Sequence, residues 1–234
     1  MIRRGRLIAL EGGSAAGKTT LVRTAARSLG WRALSEAFDR LDPAPSLEFD
    51  SAQALLRLEA TLLAEEGRRY REARRRCDRG ETVLADTGFL GPLTYTVGLV
   101  ERGWAPVSVG RALRRSVRAM IERGTLGIPD LTVYLSTTAA ERRRRSRAGA
   151  RRHPPALFPR HEAVGALERR YFETVFPEAV PGRFRVLRAR TGPASLVHSL
   201  RELVERDCPP RSSRVEALGL VALLRLPAGT GRHS

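Results

Sequence analysis

The sequence predicts an α/β domain built on a parallel sheet flanked by helices, and three observations carry that reading. Short β-branched or apolar runs alternate along the chain with stretches of helical periodicity, the pattern left by strands joined through crossover helices. A glycine-rich loop, Glu11-Gly-Gly-Ser-Ala-Ala-Gly-Lys-Thr-Thr20, lies between the first such run and the first helical stretch. That loop holds Lys18, the one lysine among 42 lysines and arginines. Elsewhere the chain meets every need for positive charge with arginine, a broad planar fork. A ring of backbone amides around phosphate oxygens has room for a slim ammonium and not for that fork.

The first expected strand is residues 7–10, and residues 19–29 form the helix that the loop opens. Further strands are expected at 31–34, 82–85, 131–135 and 184–187. Between the second and third, residues 52–77 place Leu55, Leu58, Leu62, Ala73 and Cys77 near helical spacing and stop at Gly80, a C-cap. Residues 108–123 carry Val109, Leu113, Val117, Met120 and Ile121 on one face, with Ser108 as N-cap. Thr138 and Glu141 have capping-box spacing, which opens a helix feeding a loop that ends at Pro154. Residues 195–205 close the fold, with Leu196, Leu200, Leu203 and Val204 in register. Proline-rich breaks fall at 42–45, 153–155 and 208–210. The last break divides a domain of residues 1–207, with a lid at about 139–160, from a C-terminal extension of residues 208–234. In that extension residues 215–226 are apolar enough to pack as a helix or an extra strand.

Bulk properties exclude several classes. At 234 residues the chain can bury a sizeable core. No apolar run approaches membrane-spanning length, and the first strand runs straight into the glycine loop, unlike a secretory leader. Two cysteines and four histidines without paired spacing suggest neither a disulfide framework nor a structural zinc site, which favours a cytoplasmic location. The net charge of +17 invites a polyanion partner, but aromatics are only 6% and do not interleave with basic residues. Nucleic acid is therefore not expected as the main partner, and a small-molecule acceptor is.

In the loop, the backbone of Gly12, Gly13, Ser14, Ala15, Ala16 and Gly17, with the start of the helix at Lys18, Thr19 and Thr20, forms an anion cradle. This Gly-x4-Gly-Lys-Thr pattern directs Lys18 to the β- and γ-phosphates of ATP and the Thr19 hydroxyl to Mg²⁺. Asp86 ends the third strand, beyond whose carboxyl end an open parallel sheet binds ligands. It is a candidate Mg²⁺ ligand or base, with a plain Asp-Thr-Gly turn as the alternative. Glu36 follows the second strand and is a candidate general base, with Asp39 as its rival and an exposed loop glutamate as the alternative. Residues 141–152 hold seven arginines, of which most form a solvated face; one or two, Arg143 and Arg147 for preference, neutralise charge on the transferring phosphoryl group. Arg68, Arg69 and Tyr70 lie on the long 52–77 helix and are candidates for the acceptor pocket, as is Tyr95.

These residues together resemble the thymidylate kinase-like branch of the P-loop nucleotide and nucleoside kinases. The resemblance runs through the loop, the segment Gly80-Glu-Thr-Val-Leu-Ala-Asp86, the segment Pro129-Asp-Leu-Thr-Val-Tyr-Leu135 followed by Arg142 and Arg143, and Leu167-Glu-Arg-Arg-Tyr-Phe172 with the strand after it. It covers roughly residues 5–206 and implies the P-loop kinase fold with a five-stranded parallel sheet, ATP as donor, Mg²⁺, an arginine-bearing lid and a homodimer, the last through the 108–123 helix. The departures fall on the acceptor side. Ser14 stands where the family has an aspartate, Asp86-Thr87 replaces its Asp-Arg pair, and Thr96 replaces the glutamine beside Tyr95. The resemblance thus implies a kinase for a nucleoside- or nucleotide-like acceptor other than ordinary thymidylate. A kinase for a hydroxyl of a non-nucleotide metabolite or antibiotic is the nearer alternative, and a nucleic-acid-directed NTPase or end-kinase the farther one.

Overall fold

The computed structural model describes residues 5–46, 48–148, 158–189 and 192–224. Five strands, β1 (Leu7–Glu11), β2 (Arg32–Leu34), β3 (Val83–Asp86), β4 (Leu131–Ser136) and β5 (Phe184–Arg188), form one sheet in the order β2-β3-β1-β4-β5. Every pairing is parallel. All five expected runs are strands, displaced by no more than one residue at either end. Being buried on both faces, they read as short continuous apolar segments. The central strand shows this most clearly, since Leu7, Ile8, Ala9 and Leu10 have no accessible surface.

Side chains of β1 alternate between two helical layers. Ile8 and Leu10 face α1 (Lys18–Leu29) and α8 (Pro193–Asp207), whose Leu21, Val22, Ala25, Leu196 and Leu200 fill one core. Leu7 and Ala9 face the other layer, made by α2 (Ala52–Asp78), α4 (Val107–Glu122) and α9 (Arg214–Leu223). α4 starts one residue earlier than expected, because Pro106 takes the cap in extended backbone and Ser108 falls inside the first turn. Its apolar face, Val109, Leu113, Val117 and Ile121, is buried within the chain. The segment beyond Pro210 is a helix, α9, started by a complete Ser213–Glu216 capping box. Ala217, Leu220, Val221 and Leu224 join the same core as α2 and α4.

Two elements depart from the periodicity reading for physical reasons. The buried positions of α2 include Leu55, Glu59, Leu63, Glu65, Glu66, Tyr70, Ala73 and Cys77, so three glutamates are buried along it. Leu58 and Leu62, taken from the apolar pattern, are only half-buried. α3 (Gly91–Glu101) was not anticipated at all, because most of its residues are buried and no one-sided pattern exists. After β4 come α5 (Ala139–Ala148) and α6 (Phe158–Arg170). A π-helical turn at Tyr171–Val175 then leads into α7 (Phe176–Ala179). No helix among the described residues is long and apolar enough to cross a membrane.

A buried ion pair ties the layers together. Arg74 of α2 donates to Asp130 at 2.7 Å, to the Ile128 carbonyl at 2.8 Å and to the Ser212 hydroxyl at 2.8 Å. The other oxygen of Asp130 accepts the Leu7 amide at 2.8 Å, which fixes where β1 begins. Because β1 lies between β3 and β4, the chain changes direction across the sheet at β1, and the carboxyl ends of β1 and β3 open on one crevice.

Candidate active site

The loop between β1 and α1 has a backbone that only glycine fits at its entry. Gly12 has φ +144°, and a Cβ there would lie 2.8 Å from the Leu135 carbonyl oxygen. At the far end Gly17 has φ +100° and caps α1 with no side-chain hydrogen bond. The first turn of α1 carries no acidic residue, so the positive end of the helix faces the loop uncompensated. Lys18 curls back over the loop and donates to the carbonyls of Gly12 at 2.9 Å and Gly13 at 3.5 Å. Ser14 and Thr20 are exposed, and Thr19 is half-buried in the first turn of α1.

Asp86 lies one strand away, in register with Leu10. It is 2% exposed, and its Oδ1 has no hydrogen-bond partner among the described residues. A buried acceptor in that state is costly unless a ligand completes it. The turn after it is tightly held: Thr87 donates its amide to the Leu10 carbonyl at 3.0 Å, and Gly88 donates its amide to Glu11 Oε1 at 2.7 Å. A Cβ on Gly88 would sit 2.5 Å from that same oxygen, so glycine is required for Glu11 to reach it. Arg69, expected in the acceptor pocket, is fully buried beneath this turn. It donates to the Asp86 carbonyl at 2.9 Å and pairs with Glu66.

The residues present fit Mg²⁺. An unpaired carboxylate oxygen at Asp86 and a hydroxyl at Thr19 give an all-oxygen donor set. No group of three or more acidic, histidine or cysteine ligands occurs among the described residues. One carboxylate plus substrate phosphates is the way Mg²⁺ is usually held, since it dehydrates reluctantly.

Further carboxyls surround the crevice and were missed in the sequence. Burial pushes Glu11 up to about 8, against the opposing pull of the Gly88 amide and Lys18. Burial raises Glu66 to about 7 despite Arg69, and Glu36 and Glu65 push in the same direction. Burial also raises Glu168 of α6, while Lys18 pulls it back. Tyr171 is raised well above its ordinary value by burial and by Glu11. The signal for Glu11 was its place at the carboxyl end of the first strand, masked by the louder motif beside it.

Glu36 follows β2 within electrostatic range of Glu66. Tyr95 is half-buried against Leu55, Leu99 and Val164. Arg68 is exposed and pairs with Glu65 at 2.6 Å, in a shallow hollow with Leu41 and Arg57. Among the arginines of α5, Arg142 and Arg145 approach the loop. Arg145 donates to the Ala16 carbonyl at 2.7 Å, and Arg142 Nε lies 3.2 Å from where a Gly13 Cβ would stand. Arg143 is exposed; the side chain of Arg147 and residues 149–157 lie outside those described. The i, i+3 spacing of Arg142 and Arg145 places them on one face of α5. Between α3 and α6, a cavity of about 380 Å³ is walled by Thr94, Val97, Gly98, Glu168 and Tyr171, among others.

A deoxyadenosine kinase from M. mycoides with bound dATP superposes with a TM-score of 0.67 at 16% identity, over 85% of this chain and 98% of that one. Its dCTP-bound form gives 0.61 at 14% identity over the same shares of the two chains. The chain has the P-loop kinase fold. The thymidylate kinase of Candida albicans gives a TM-score of 0.60 at 16% identity, over 86% of this chain and 92% of that one. No protein-family model matches the chain, and no curated protein matches it by sequence. At these identities the likeness is one of fold, and it matches the expected five-stranded sheet.

Proposed function

We propose that the protein is an ATP-dependent kinase that moves the γ-phosphoryl group onto a hydroxyl of a nucleoside-like acceptor. The observation that carries the reading is the unpaired, buried oxygen of Asp86 beside a glycine loop whose one lysine reaches over it. Phosphoryl transfer asks a protein mainly for positioning and charge neutralisation, and these residues supply both. The loop amides and the start of α1 bind phosphate oxygens, and Lys18 exchanges its carbonyl partners for the β- and γ-oxygens. Arg142 and Arg145, already against the loop, neutralise charge that develops on the transferring group. Asp86 and Thr19 would hold Mg²⁺, which would supply charge neutralisation for the transferring phosphate. Glu36 orients the acceptor hydroxyl and takes its proton.

The carboxyl-rich surroundings favour a hydroxyl over a phosphate acceptor. Glu11, Glu66 and Glu168 line this region, and Arg69 is committed to Glu66 and to backbone carbonyls. A second phosphate here would meet these carboxyl groups, and the buried guanidinium of Arg69 is already engaged. The neighbours' structures support a nucleoside-like body, since they are of a deoxyadenosine kinase and a thymidylate kinase. An ATP-consumption screen over nucleosides, nucleoside monophosphates and hydroxylated metabolites tests this. Turnover with at least one nucleoside is expected, exceeding that with its monophosphate. Preference for a monophosphate, or turnover only with non-nucleoside metabolites, would refute the acceptor assignment.

A further inference from the structure

We infer that Arg69 is a positioning residue: its guanidinium holds the turn after β3 so that one oxygen of Asp86 stays free for a divalent cation. This rests on the reading of Asp86 as a metal ligand. Thr87, the residue after it, has φ +69°. A β-branched residue rarely takes that left-handed conformation, and such a residue persists only where its surroundings over-determine it.

The restraints on the turn come from two elements, β1 and α2. β1 supplies two, the Leu10 carbonyl for the Thr87 amide and Glu11 Oε1 for the Gly88 amide. Both act on amides and leave the carbonyls of Asp86 and Thr87 to be fixed. Arg69 fixes them, donating from Nη2 at 2.9 Å and 3.5 Å respectively. The guanidinium is itself held: it is fully buried, pairs with Glu66 through Nη1, and lies 5.3 Å from the centroid of the Phe89 ring. A planar fork does this where an ammonium cannot, because one end grips Glu66 while the other spans two carbonyls. With the backbone of the turn fixed on both sides, the Asp86 carboxyl keeps Oδ1 without a partner among the described residues. A core ion pair serving stability alone would have no reason to end on the carbonyls of a strained turn beside that oxygen.

The test is equilibrium Mn²⁺ binding in the presence of a non-hydrolysable ATP analogue, read from the water-proton relaxation enhancement of protein-bound Mn²⁺, with Mn²⁺ and the analogue alone as the baseline. Arg69→Met combined with Glu66→Gln removes both charges together. This pair is expected to raise the Mn²⁺ dissociation constant about 10- to 100-fold, the range for partners that orient metal ligands. Binding of the analogue without metal should stay unchanged. Adding Thr87→Gly, which takes a left-handed φ without strain, should recover most of the lost metal affinity. If the double variant does not fold, Arg69→Lys keeps the charge without the fork and gives the same comparison. Unchanged Mn²⁺ binding, or a loss that Thr87→Gly does not recover, overturns the inference. A wild-type protein that binds no Mn²⁺ with the analogue defeats the kinase reading instead, so the two failures are distinct.

Discussion

Glu59 offers a sharp test of how α2 is packed. It lies on the buried stripe one turn from Leu55 and Leu63, is 2% exposed, and has an oxygen with no hydrogen-bond partner among the described residues. Burial alone pushes its carboxyl from 4.5 up to about 8, with no offsetting charge among the described residues. A folded-state value above the unfolded one means that stability is full below about 4.5 and is lost as pH rises through about 8. At about 1.36 kcal/mol for each tenfold change, the loss is roughly 3 kcal/mol by pH 7 and about 5 kcal/mol above pH 8. Glu59→Gln keeps the shape and removes the titration. Its buried amide leaves donors unpaired, at about 1–3 kcal/mol. The variant should therefore be the less stable protein at pH 4 and the more stable by about 2–4 kcal/mol at pH 9. Urea unfolding of both proteins from pH 4 to 9 measures this, since their difference isolates Glu59. A difference that does not change with pH would refute the burial of an uncompensated carboxyl.

Asp86→Asn should abolish Mg²⁺-dependent turnover while leaving the melting temperature nearly unchanged, as seen by a coupled ATP assay beside a thermal scan. Arg145→Ala should lower kcat far more than Arg143→Ala, because Arg145 touches the loop and Arg143 faces solvent; steady-state kinetics of the two variants decide it. Arg74→Met strands Asp130 in the core, and the cost expected from chemical unfolding is about 3–5 kcal/mol.

The strands were legible because residues buried on both faces of a parallel sheet leave short apolar runs, and Leu7–Leu10 is such a run. The phosphate loop was legible because its glycines answer a backbone need, as the contact between a Gly12 Cβ and Leu135 shows. α3 was silent, since burial on nearly every side erases periodicity. The stripe of α2 was misplaced because Glu59 and Glu66 look like surface residues in sequence and are core residues in space. Arginine choice was illegible for a different reason. In a chain with 42 basic residues, composition cannot separate Arg69 beneath a turn from Arg68 in solvent one position away. The unpaired oxygen of Asp86 is a property of its surroundings and has no sequence signature at all.

Transfer of labelled phosphate from γ-labelled ATP to a nucleoside, compared between the wild-type protein and Lys18→Ala, addresses the proposed activity most directly. The wild-type protein should label the nucleoside in the presence of Mg²⁺. Loss of the one lysine in the loop should cut the rate by about 100- to 1000-fold, the scale for removing one preorganised charge-stabilising group. Transfer by Lys18→Ala at near the wild-type rate would contradict the assignment of the loop as the phosphate-donor site.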